Sequence, residues 1–327
     1  MAPSSTPRRG GEHRSLRPFP QERDDGPDPV ARTRAATARL IALDTRIGAR
    51  HLVADAAAAA RTARRAARHA GEDDRDLCAA AAEAHQVAGW IAFDAEHQHL
   101  SRRMSLEALR LARAAGDRSM EHFVLAQLAM QDVHVHRPTE AAHLCDTLLA
   151  QTRGSVRTLF TLRAARAAAQ LGERRRALDL IRLTHSRHLD GPREGDPAWA
   201  WWLNEAEIAW HHAMIHTDTG DRAGAVERFA AATDRPGYAR AAFVARASLL
   251  WALARARAWS EAETVLVHEV LPRLGEVSSV RVERMLTEAA RRLDGATRRP
   301  SLRDAARTLA ASPHTRGPGR EGELPAT

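Results

Sequence analysis

Histidine pairs are the first residues whose types and spacing suggest chemistry. His212 and His216 stand at i, i+4, so on a helix they would share one face. Asp132, His134 and His136 alternate and offer ligands near the end of a helical stretch. A zinc site needs three or four convergent ligands, with hydrogen-bonded support behind them. No third ligand is specified beside either group, and the chain has neither an HExxH nor a CxxC pattern. No metal is expected. Glu205 and Glu207 are carboxylates with no base or nucleophile set beside them. No Gly-rich phosphate loop follows a strand pattern and no GxSxG elbow occurs. No residue can be assigned as general acid, base or nucleophile, so the chain reads as a non-enzyme without a cofactor.

The elements that would carry any of these side chains are helices. The segment Ala82–Asp117, AEAHQVAGWIAFDAEHQHLSRRMSLEALRLARAAGD, reads as two amphipathic helices joined by a short polar turn. Gly89 falls where the first helix must be thin and Ala108 where the second must let it approach. Their separation, 108 − 89 = 19, is that of the two small positions of a tetratricopeptide (TPR) helical hairpin. Such a unit cannot bury its apolar face alone and predicts further copies stacked beside it. Anchoring on the small residue that opens each second helix places five hairpins, at Ser101, Ala141, Ala177, Ala225 and Ala262. Their spacings of 40, 36, 48 and 37 scatter around and above the ideal period of about 34. The longest contains the loop GPREGDPAWAWW. Gly172 and Gly220 each fall just before a second helix, where a residue at positive φ closes the turn. The fifth hairpin fits worst, because Leu250 stands where a small residue belongs. Upstream, Ala35–Ile47 and His51–Ala70 read as a further helical pair. Downstream, Val277–Leu293 and Leu302–Leu309 read as a cap.

The expected fold is therefore all-α, a right-handed superhelix (solenoid) of TPR-like hairpins over 30–311. Tails at 1–29 and 312–327, with almost nothing to bury, are expected to be disordered. In such an array the first helix of each hairpin lines the concave face. Its lining positions are Trp90 and Asp94, Met130 and His134, Arg166 and Gln170, then Trp210, Met214 and Asp218, and last Trp251 and Arg255. Aromatic and Met anchors with a few orienting charges make a groove for a protein or peptide partner, or for a small ligand. Each tryptophan singly reads as inter-repeat core; as a set they read as a groove. Trp199, Trp201 and Trp202 either plug the top of the array or mark a contact site. If that loop is extended, Trp199 and Trp201 share a side.

Charge adds a second reading. The chain carries 49 basic against 41 acidic residues, a net charge of +8, and every basic residue is arginine. Arg61, Arg64, Arg65 and Arg68 follow i, i+3, i+4, i+7 and form one helical stripe. The stripe is a solvated face, or a set of phosphate contacts with salt-sensitive affinity for DNA. Cys78 and Cys145 lie in apolar helical patterns far apart, which fits a reduced, cytoplasmic setting. No stretch is apolar enough for a signal peptide or a membrane span, and apolar faces on the terminal helices would allow a homodimer.

Four stretches together carry a resemblance: LDTRIGARHL (43–52), VAGWIAFDAEHQHLSRRMSLEALRLARAAGD (87–117), PAWAWWLNEAEIAWHHAMIHTDTGDRAGAV (197–226) and VSSVRVERMLTEAARRLD (277–294). In order and spacing they resemble the TPR-like C-terminal half of actinobacterial XRE-type helix-turn-helix transcriptional regulators. AGW-x-AFDA is the most specific element, and the likeness runs from Ala35 to Leu309. The resemblance implies a regulatory, ligand- or partner-binding role in transcription. Those regulators open with a DNA-reading helix-turn-helix domain. The Pro-rich residues ahead of the array here do not fit one, so promoter reading is not implied with it.

Overall fold

The computed structural model describes residues 28–70, 74–191, 193–233, 239–295 and 299–312. All regular structure among them is helical. The helices are α1 Pro29–Ile47, α2 Val53–Ala70, α3 Arg75–Asp94, α4 Gln98–Ala115, α5 Arg118–His134, α6 Pro138–Leu149, α7 Gly154–Gln170 and α8 Arg174–Leu189. They continue, after a 3-10 turn at Ala198–Trp202, with α9 Glu205–Asp218, α10 Arg222–Thr233, α11 Ala239–Ala256, α12 Trp259–Val265, α13 Val280–Asp294 and α14 Pro300–Ala311. No helix among the described residues is long and apolar enough to cross a membrane.

Helix starts are chemically specified. Asp28, Asp74, Asp117, Asn204 and Ser279 each accept a backbone N–H in the first turn of α1, α3, α5, α9 and α13. Asp28 and Pro29, assigned above to the N-terminal tail, are in fact the N-cap and first residue of α1, a position where proline's missing N–H costs nothing. The remaining tail residues, 1–27 and 313–327, lie outside the described residues.

Two kinds of helix alternate. The odd-numbered helices pack against one another in series, and α1 meets α11 to bring the series round on itself. The even-numbered helices cover them from outside. Burial follows. In α7 an unbroken run from Thr158 to Ala169 is buried, whereas α8 buries only Ala177, Ile181 and Thr184, the i, i+4, i+7 stripe of a surface helix. The five small anchors Ser101, Ala141, Ala177, Ala225 and Ala262 are all buried at the starts of even helices. Gly89 earns its lack of a side chain: an added Cβ would stand 2.8 Å from Gln127 Nε2 and 2.9 Å from Ser105 Oγ. Ser101 Oγ donates to the Gly89 carbonyl at 2.8 Å across the same contact. The fifth hairpin is irregular, as Leu250 suggests. Leu250 itself is wholly buried, and α12 gives way after Val265 to a π-helical turn at Leu266–Val270.

The loop after α1 and the inner helix α3 are tied to the start of α13. Ser278 N donates to Ile47 O at 2.8 Å and Arg50 N to Ser278 O at 3.3 Å. Arg50 pairs with Glu283 at 2.5 Å and Arg284 with Glu96 at 2.7 Å. The inner helices are thus brought round the expected groove rather than left as an open row.

Candidate functional site

The inner helices surround a cavity of about 670 Å3. Five of the seven tryptophans line it: Trp90, Trp199, Trp201, Trp202 and Trp210. Phe93, Phe123, Met130 and Met214 complete the apolar wall. The 3-10 turn explains the tryptophan cluster. With three residues per turn, Trp199 and Trp202 share a side, where an extended loop would have paired Trp199 with Trp201. Phe123 stacks on Trp199 (centroids 4.4 Å, 8° between planes) and on Trp202 (5.8 Å). Trp199 Nε1 donates to Ser119 Oγ at 2.9 Å, and Trp201 is at the cavity's rim, 56% exposed.

Six of the eleven residues assigned to a groove line this cavity: Trp90, Met130, His134, Arg166, Trp210 and Met214. Asp94 sits directly behind the wall, fully buried. Asp218 is reached through Arg166, whose Nε donates to it at 3.1 Å. Gln170 lies at the end of α7, outside the lining. Trp251 and Arg255 belong elsewhere: Trp251 is buried in the core of α11–α14 and donates to Glu288 at 2.7 Å, and Arg255 pairs with the same carboxylate. The displacement follows from the closure of the array, since α11 presents its N-terminal half to the cavity and its C-terminal half to α13.

Two polar clusters face the cavity. The first is centred on Asp94. Arg240 Nη2 and Arg281 Nη2 both lie 2.9 Å from its Oδ1, and Ser279 Oγ donates to the same atom at 3.1 Å. Burial alone would push the Asp94 carboxyl up, but the two guanidiniums hold it below the usual range. Beside it, Asp44 accepts from Trp90 Nε1 at 2.9 Å. Burial dominates there and pushes the Asp44 carboxyl up, against the opposing charge of Arg240 at 3.9 Å. Arg240 lies over the Trp90 ring at 5.1 Å, and Arg281 over Phe93 at 5.3 Å.

The second cluster is centred on His211. Its Nε2 lies 2.8 Å from Arg163 Nη1 and 3.0 Å from Glu207 Oε1, and its Nδ1 lies 3.2 Å from Arg166 Nη1. Burial pushes the imidazole down to about 4 despite the Glu207 charge, so it is neutral near pH 7. Glu207 would be raised by burial, but the His211 hydrogen bond and the nearby Arg163 hold it down to about 2. Glu207 therefore does have a titratable neighbour, one turn along its own helix, contrary to the sequence reading. Asp44, Arg163, His211, Arg240 and Arg281 were not among the expected site residues. For Arg163 a signal existed, shared with Arg166: two charges inside the largely apolar LFTLRAARAAAQ.

The remaining candidates fall outside the cavity. His212 stacks on His216 at 5.1 Å and lies 3.3 Å from His185, and His216 bonds Asp221. Asp132 pairs with Arg102, and His134, which is on the cavity wall, pairs with Glu96. Among the described residues no group of three or more His, Cys, Asp or Glu is arranged to hold a metal ion. Cys78 and Cys145 are buried and not joined in a disulfide, and burial pushes Cys145 up to about 12. On the outer helix α2, Arg61, Arg65 and Arg68 are exposed, while Arg64 Nε is bound to Glu107 at 2.8 Å. Compared with known proteins, the chain matches no family model, no curated protein and no solved structure.

Proposed function

We propose that this chain is a non-enzymatic regulatory module that binds a ligand inside a TPR-like right-handed superhelix. One observation carries the reading: an aromatic cavity of about 670 Å3, lined by side chains from every inner helix, within the size range of small-molecule sites. A ligand there touches several hairpins at once. It favours the relative placement of hairpins that suits it, and so biases what the outer face offers a protein partner. The resemblance to XRE-type regulators makes transcription the expected setting.

The test is a titration with the neutral dye N-phenyl-1-naphthylamine, read by energy transfer from tryptophan. One saturable site is expected, lost in Met214→Trp, which fills the cavity while circular dichroism stays unchanged. Non-saturable binding, or binding indifferent to Met214→Trp, overturns the reading. A second reading, phosphate contact with DNA, rests on the exposed Arg61, Arg65 and Arg68.

A further inference from the structure

Four arginines line the cavity, and three of them touch a carboxylate: Arg166 meets Asp218, and Arg240 and Arg281 meet Asp94. Arg163 is the exception. Among the described residues its guanidinium contacts no carboxylate, although the residue is only 3% exposed. Its single polar contact is His211 Nε2, and that contact is contested.

A neutral imidazole has one N–H and one lone pair. Arg163 and Arg166 both bring donors to His211, and Glu207 brings an acceptor. With the proton on Nε2, His211 donates to Glu207 and accepts from Arg166 on Nδ1, satisfying two of the three. With the proton on Nδ1, it accepts from Arg163 alone. The first tautomer wins on hydrogen bonds, and it leaves Arg163 with no acceptor. The rest of the guanidinium is equally bare. Nε is buried without a partner and Nη2 makes no hydrogen bond. The Nε–Nη2 edge is the one that presents two parallel N–H groups to a carboxylate. Trp202, whose ring lies 5.8 Å from the Arg163 guanidinium carbon, has its own Nε1–H buried and unpartnered. Two residues that line the cavity and touch each other thus each carry a buried donor that lacks an acceptor. Leaving such donors unmet is costly unless something supplies the acceptor.

Resting on the binding role proposed above, we infer that the cavity takes an aromatic monocarboxylate, with its carboxylate on the Nε–Nη2 edge of Arg163 and on Trp202 Nε1, and its apolar body along Phe123, Trp199 and Trp210. A single charge is specified. One guanidinium is without a contact anion, and Glu207 stands close by, so a dianion such as phosphate would be left partly uncompensated. Burial without a contact anion is also what brings the Arg163 guanidinium down to about 10.

The test is calorimetric titration with a charge-matched set: 1-naphthylacetate, 1-naphthylacetamide and 1-naphthylmethylamine. The acid is expected to bind at least roughly tenfold tighter than the amide, and the amine weakest. Arg163→Gln should erase the preference for acid over amide while leaving amide affinity unchanged; a purely structural role would weaken all three together. If Arg163→Gln does not fold, Arg163→Lys decides. It keeps the charge, loses the two-pronged edge and should retain only part of the preference. Ala-Ala-Trp, with a free and with an amidated C-terminus, distinguishes a peptide end from a small acid as the source of the carboxylate; preference for the free end supports the same site. Equal binding of acid and amide, or preference for the amine, overturns this inference and leaves the binding module standing. So does failure of all three while N-phenyl-1-naphthylamine still binds. If the dye fails as well, both fall.

Discussion

The Asp94 and Arg163 sides of the cavity are equally deep in the protein and treat charge in opposite ways. Asp94 gathers Arg240, Arg281 and Ser279, groups that come from α11 and the start of α13, far away in the chain. Its charge is used up in bringing the ends of the array together. Arg163 meets only His211 on the neighbouring inner helix and the Trp202 ring just before it, and its one polar contact is shared with two competitors. The Asp94 side is a charge-paired network of the kind that fixes a structure, even though Asp94 Oδ2 and Arg240 Nε stay without a hydrogen-bond partner. The Arg163 side has donors to spare. Depth of burial alone therefore does not say whether a charge serves the fold or a ligand; the count of partners does.

Substitution at each centre breaks that comparison most directly. Asp94→Asn leaves two buried guanidiniums without their anion, and should cost about 3–5 kcal/mol of stability. Arg163→Met removes a charge that has no contact anion, and should change stability by less than about 1.5 kcal/mol or increase it. Urea midpoints of the two variants measure both. Comparable losses at the two positions would mean that Arg163 is as structural as Asp94.

Trp90 stands between wall and network, since its indole donates to Asp44 and underlies Arg240. Trp90→Ala should weaken N-phenyl-1-naphthylamine binding by roughly tenfold, as loss of an aromatic anchor does, with little loss of helical signal. If the variant instead unfolds, Trp90 belongs to the Asp94 network rather than to the binding surface.

The helices and hairpins were legible in the sequence because small residues at fixed spacing are a local requirement: Gly89 and the five buried anchors each answer to a neighbour within one or two helices. Much of the cavity wall was legible for the same reason, as Trp90, Met130, Trp210 and Met214 recur on one face of the first helices. The closure was not. Asp94 meets Arg281 across 187 positions, and no periodicity announces such a partner. Closure is also what takes Trp251 and Arg255 out of the wall, by packing them on α13 with Glu288. What distinguishes Arg163 from Arg166, three residues on, is the lack of a carboxylate, which only the folded arrangement can show.

Acid sharpens the contrast more gently. The His211 imidazole sits at about 4 against an unfolded 6.5, so the unfolded chain binds more protons between those values. Stability therefore falls as pH drops from 6.5 towards 4, and Glu207, held at about 2 against 4.5, extends the fall below that. Asp44 works the other way. Its raised carboxyl contributes most at low pH and loses that contribution as pH rises above the unfolded value of 3.8. His212, pushed down to about 3 by burial, shares the first window. His211→Gln should accordingly flatten the slope between pH 6.5 and 4 only in part, and His212→Gln should flatten it further, with His85 and His122, also pushed down by burial, sharing the window. Urea midpoints across this range give the slope, and a slope unchanged by His211→Gln would show that this imidazole is protonated in the native state.

The outer stripe on α2 sets the lower bound of the comparison. Arg65→Ala removes an exposed guanidinium whose one hydrogen bond is to Thr62 and should shift stability by less than about 0.5 kcal/mol. Arg64→Ala breaks its pair with Glu107, a contact open enough to solvent that about 0.5 kcal/mol is the expected loss. What the stripe does to DNA is the sharper question. Fluorescence anisotropy with duplex DNA should show weak binding at low salt that vanishes at physiological salt, and replacing Arg61, Arg65 and Arg68 with Gln should remove it. Arg163→Gln should leave it untouched, because a cavity charge surrounded by inner helices cannot reach a phosphate backbone. Tight, sequence-selective binding that survives physiological salt would instead place function on the outer face. The spare donors of Arg163 would then be a cost the fold carries rather than a site it offers.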